Sequence, residues 1–224
     1  MIIDYFQYFQ LLSLLVAIIC YRGLNACNLV LFIPLLLLTN VIELVGSNYR
    51  ALGWAHNYTM YNWYIILSTP INLYLYGQML QIRQNEKPVY VTIAVLSMLF
   101  IVLNYIFLQG PGQFNNISVV LIEILNIVFS CFVLLRLAFR GDVLVSIFRE
   151  PYFWISAANL LFGLITLVLL GLQQYIRSNH IVIGKDSLYH AILPVVNIIL
   201  YSCYCLAFIL CRMQINRSSS SLLQ

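Results

Sequence analysis

What this chain has least of is charge. Only 8% of its 224 residues are Asp, Glu, Lys or Arg, against about a quarter in an ordinary soluble domain. No polar stretch between the apolar runs is long enough to form a soluble catalytic domain. Basic clusters of the kind that neutralise phosphates are missing too, so nucleic acid is not an expected partner. Histidine is scarce, at three residues, and no fixed ligand spacing of the HExxH kind occurs. Neither a metal nor a cofactor is therefore expected. The leader MIIDYFQYFQ holds Asp4 but no Lys or Arg. A secretory signal needs a positive start, so the first apolar run is expected to remain in the protein as a span.

What is there is hydrophobic sequence, 62% of the chain. It comes in runs of roughly 18–24 residues, the length of helix that crosses about 30 Å of hydrocarbon. The runs predict an all-α polytopic membrane protein, a bundle of seven transmembrane helices over 4–21, 26–46, 59–81, 89–108, 117–138, 151–174 and 188–211. Residues 1–211 then form one domain, and 212–224 a short, disordered cytoplasmic tail. Pro88 and Pro151 stand at helix starts, where the missing N–H costs nothing. Gly110-Pro111-Gly112 marks a turn. Pro34, Pro70 and Pro194 fall inside spans, where kinks are expected.

Basic residues set the orientation. One side of the bundle carries Arg22, Arg83, Lys87, Arg136, Arg140, Arg149, Arg212 and Arg217; the other carries Arg50, Arg177 and Lys185. That bias puts the N-terminus outside and the C-terminus in the cytoplasm. Cys20, Cys27, Cys131, Cys203, Cys205 and Cys211 all fall in the cytoplasmic half or at its rim, so six buried free thiols are expected rather than disulfides.

Residues at i, i+3, i+4 and i+7 share a helix face, and polar residues line up that way in most spans. Span two gives Asn40, Glu43 and Ser47. Span three gives Asn62, Thr69, Asn72 and Tyr76. Glu123, Asn126 and Ser130 follow in span five, and Ser156, Asn159, Gly163 and Thr166 in span six. Span seven gives His190, Pro194, Asn197, Tyr201 and Tyr204. Small and polar residues at such positions ordinarily serve helix packing. Ionisable groups inside a span are costly, and they mark functional sites by default. Glu43 lies about one turn below the outer surface and Glu123 about two. Tyr61, Asn62 and Tyr64 enter span three at that surface, His190 enters span seven, and Asn104 ends span four. The candidates for an outward-facing polar pocket are thus Glu43, Tyr61, Asn62, Tyr64, Asn104, Glu123, Asn126, His190 and Asn197, with the deeper Glu123 the most constrained. Three readings stand side by side: structural hydrogen bonding, a ligand or proton-sensing pocket, and zinc binding with His56 or His180.

Known seven-span families are a poor fit. Span seven holds no lysine for a retinal Schiff base. Gln81-Ile82-Arg83-Gln84 is not the acidic-Arg-aromatic motif of G-protein-coupled receptors. The histidines of the ceramidase and progestin-receptor superfamily and the Pro-Gln of the PQ-loop transporters are absent. The segments NVIELVG at Asn40–Gly46 and YNWYIILSTP at Tyr61–Pro70 resemble a set of uncharacterised seven-transmembrane inner-membrane proteins of Bacteroidota. That resemblance implies a bacterial inner membrane and a sensory role. The expected function is a non-enzymatic sensor that takes a small-molecule ligand and addresses a cytoplasmic signalling partner through the Arg136–Arg149 loop and the tail. A small transporter or channel component is the alternative. An intramembrane enzyme using Glu123 and His190 as an acid–base pair is a third.

Overall fold

The computed structural model describes residues 5–110, 112–139, 147–172, 182–183 and 186–221, with side chains described outside 182–190 and 216–221. It is all-α apart from a two-residue strand pair, Val182–Ile183 with Asp186–Ser187. Among the described residues, seven long helices alternate in direction. They are α1 (Tyr5–Ile19), α3 (Phe32–Ser47), α4 (Tyr58–Leu80), α5 (Lys87–Leu103), α6 (Asn116–Ala138), α7 (Pro151–Gly171) and α8 (Leu188–Ser221). The short α2 (Tyr21–Ala26) extends α1 past a break at Cys20.

Four segments are long and apolar enough to cross a membrane by length and composition: Lys87–Leu108, Asn116–Ala138, Pro151–Gly171 and Ala191–Ile215. The described parts of α1 and α3 are apolar but only 15 and 16 residues long. At 1.5 Å per residue each covers roughly 22–24 Å. Helix α4, at 23 residues, is long enough but more polar, and its buried face holds Asn62, Ser68 and Thr69.

The packing closes into a ring. Helix α1 lies on α3, α3 on α4, α4 on α6, α6 on α7, α7 on α8, and α8 back on α1; α5 packs outside the ring against α4, and α2 crosses α8. In lipid the attraction between helices is close packing rather than exclusion of water, and glycines permit it. A Cβ on Gly23 would sit 2.6 Å from the backbone nitrogen of Arg212, so α2 and α8 touch backbone to backbone.

Several boundaries differ from the sequence reading for local reasons. The second run does not form one helix from residue 26. Asn28 adopts a left-handed conformation (φ 55°) that breaks the helix, and α3 starts at Phe32. Pro34 therefore lies in the first turn of α3, where its missing N–H has no helical partner to lose. Pro70 and Pro194 do lie inside their helices. Helix α5 ends in a π-helical turn over Asn104–Leu108. The C-terminal tail is not irregular from residue 212. Helix α8 runs on to Ser221, since no Gly or Pro interrupts 212–221 and Gln214 is anchored by the Cys27 thiol, 3.6 Å from its Oε1. All six cysteines are free, but only Cys20 and Cys211 are fully buried; the other four are half-buried.

The ends of the bundle are tied differently. At the end where α4 and α6 finish, the Arg136 guanidinium donates to the carbonyls of Leu80 and Gln81 and pairs with Glu86. It thereby caps α4 and holds the start of α5. At the opposite end, where α3 and α7 finish and α4, α6 and α8 begin, asparagines do the tying. Asn62 donates to the Gln113 carbonyl (2.8 Å) and accepts from the Asn115 backbone N–H (3.0 Å). Asn104 donates to Asn115 Oδ1 and to Ser118 Oγ.

Candidate functional site

A cavity of about 260 Å³ lies inside the ring, lined by five of its six helices. It reaches from the Glu43 end to about half the depth of the bundle. Helix α3 contributes Thr39 and Glu43, and α4 contributes Tyr61, Tyr64, Ser68 and Asn72. Glu123 and Asn126 come from α6, Asn159 and Thr166 from α7, and Asn197, Tyr201 and Tyr204 from α8. Each set is a helix face at i, i+3, i+4, i+7 spacing, so helix periodicity alone turns these groups toward one another once the ring closes.

At the mouth, Tyr61 donates its hydroxyl to Glu43 Oε2 at 3.3 Å. Gly46 makes room for it, because a Cβ there would lie 2.7 Å from the Tyr61 hydroxyl. Phe114 sits beside Tyr61 in an edge contact, with ring centroids 6.3 Å apart. Further in, Tyr64 shares a hydrogen bond with Thr39 (3.1 Å), whose own hydroxyl donates to the Leu35 carbonyl. Glu123 is 7% exposed and accepts from the Asn126 amide at 3.3 Å. Gly163 on α7 packs against it: a Cβ there would come within 3.2 Å of Glu123 Oε2. Thr166, one turn beyond Gly163, lines the cavity and is 7% exposed, and its hydroxyl has no hydrogen-bond partner.

The floor is a hydrogen-bonded layer. Tyr204 donates to Asn159 Oδ1 (2.5 Å), Asn159 donates to the Tyr76 hydroxyl (3.0 Å), and Tyr76 bonds Ser130 (2.9 Å). Beneath it the core is tightly packed. Phe32, Leu24, Leu29, Ala207 and Phe208 are at most 2% exposed, and the Phe32 ring meets those of Tyr204 and Phe208 at 5.2 and 5.5 Å.

Of the residues the sequence singles out, Glu43, Tyr61, Tyr64, Glu123, Asn126 and Asn197 line this cavity together. Asn62 and Asn104 do not. Both are fully buried; Asn62 bonds on either side of Phe114 and holds it at the mouth, and the Asn104 amide N–H groups bond Asn115 and Ser118. The backbone of His190 belongs to the first turn of α8; its side chain, like His180, lies outside the described residues, so the Glu123–His190 pair rests on no described contact. Thr39, Ser68, Asn159, Thr166, Tyr201 and Tyr204 line it as well. Most of them stand in the polar stripes already visible in the sequence, but none carries charge to distinguish it there. Among the described residues no three His, Cys, Asp or Glu side chains come together as a metal site. Comparison of the chain with family models, with curated proteins and with solved structures gives no match.

Proposed function

We propose that this chain is a seven-span integral membrane protein, N-terminus outside and C-terminus in the cytoplasm, that senses a small molecule entering the cavity from the outer face. The observation that carries this reading is the one-ended cavity. Polar and aromatic side chains line it from the Glu43 end inward, and the Tyr76–Asn159–Tyr204 layer with the packed core beneath closes the other end. A closed floor suits a receptor better than an open pore. The basic residues agree in sign: Arg22, Arg83, Lys87, Arg136, Arg149 and Arg212 belong to the Arg136 end, and the positive-inside rule supports a cytoplasmic side there. Trp63 and Tyr105 meet at the Glu43 end, with centroids 6.3 Å apart. Trp154 and Phe148 meet at the other end, 6.3 Å apart. Aromatic pairs at both ends suit the two interfaces of a bilayer. The 16-residue α3 fits a bilayer locally thinned around it. The membrane is a bacterial inner membrane, and occupancy passes to a cytoplasmic protein at the Arg136 end, through the 136–149 loop and the end of α8.

A transporter is the second reading, favoured by one feature: the floor is polar, so its hydroxyls and amides extend the path inward when the helices rock. Reporter fusions and flux separate the possibilities. Fusions in the 109–116 loop read outside and fusions after Gln224 read cytoplasmic if the orientation is right; the reverse pattern refutes it. Protein-dependent solute flux in proteoliposomes supports transport over sensing.

A further inference from the structure

We propose that the ligand of this cavity is a small organic cation, a protonated primary or secondary amine held against Glu123; the inference rests on the reading of the cavity as a binding site. Glu123 brings a nearly buried carboxyl group to the cavity wall, with Asn126 as its described polar partner. Among the described residues that line the cavity there is no Lys, Arg or His. Removing a carboxylate from water without a positive partner is costly, and a bound ammonium group supplies that partner. An anionic ligand would instead face a like charge at short range.

The walls fit the rest of such a molecule. Tyr64, Phe162, Tyr201 and Tyr204 surround the space, and aromatic faces attract cations, more strongly where water is excluded. Tyr201 and Tyr204 meet edge to face at 6.1 Å. A volume of about 260 Å³ admits a single-ring or short branched amine and excludes a lipid or a peptide.

The test is calorimetric titration of the full chain in nanodiscs with three probes of one shape: benzylammonium, benzyl alcohol and benzoate. The expected result is that benzylammonium binds at least about tenfold more tightly than the other two, the scale of one charge-assisted hydrogen bond. Glu123→Gln should abolish that preference. Equal or tighter binding of the alcohol or of benzoate overturns the proposal, as does binding of none of the three. A preference that survives Glu123→Gln in a folded protein overturns the role of Glu123. Should that variant fail to fold, the wild-type charge series still decides. Binding of the alcohol without the ammonium leaves the cavity a binding site and removes only the cation.

Discussion

Glycine positions in this bundle separate two kinds of contact that substitution treats differently. At Gly23 an added Cβ meets the backbone of Arg212 at 2.6 Å, and a backbone cannot step aside without parting α2 from α8. At Gly46 the added Cβ meets the end of the Tyr61 side chain at 2.7 Å, which can swing away and give up its bond to Glu43. Gly23→Ala is therefore expected to destabilise by about 1–3 kcal/mol, the range for overpacking. Gly46→Ala should cost clearly less in stability while altering the mouth of the cavity. Thermal unfolding in detergent checks the order; equal losses would contradict it. The residue scale is also where the sequence is most ambiguous. A polar stripe shows which face turns inward but not what it meets. Asn62 shares its stripe with the cavity residues of α4, and Asn104 stands at the same end of the bundle, yet they bond to Gln113 and Asn115, contacts more than ten residues away that no local pattern announces. A further set on α1, Gln7, Gln10 and Ser13, is fully buried as well. Its i, i+3, i+6 spacing was available in the sequence, and Gln7 uses it to reach Ser47 at 2.9 Å.

Arg136 is the hinge pin between elements. It ends α6, satisfies the last carbonyls of α4 and pairs with Glu86, at the N-cap of α5. Its hydrogen bonds, and that from the Arg83 backbone, hold the Glu86 carboxyl below its ordinary value. A carboxylate whose folded value is lowered stabilises the protein above its unfolded value, and that contribution fades as pH falls through the folded one. Unfolding of the wild type should therefore become easier below about pH 4.3, the unfolded value of a glutamate, and Glu86→Gln should flatten that part of the profile. An unchanged acid limb in Glu86→Gln would contradict the pairing. Arg136→Ala should cost about 1–2 kcal/mol through the uncapped carbonyls alone. In the sequence Arg136 reads only as a charge at the membrane rim. Its tie to α4 depends on the left-handed turn at Gln81 (φ 46°), which propensity does not reveal. Elements themselves are more legible: apolar run lengths place α4 to α7 within a few residues of their observed ends. The break at Asn28 is missed, because a single Asn next to an apolar run does not by itself announce a left-handed turn.

At the scale of the whole molecule, alternating helix directions bring the polar faces of α3, α4, α6, α7 and α8 together at one end. The Phe32–Phe208 packing occupies the other. Which faces are polar is plain in the sequence; the ring order, with α5 outside and α8 closing against α1, is not, because nothing in a span's composition names its neighbours. The central claim is a cavity reached from the Glu43 side alone. Asn197 lines it from α8 and is half-buried, so a cysteine there reports access directly. With the six native cysteines as baseline, Asn197→Cys in inside-out and right-side-out membrane vesicles is treated with a membrane-impermeant maleimide. Labelling from the outer side only is the predicted result. Labelling from the cytoplasmic side, or equally from both, would contradict the account.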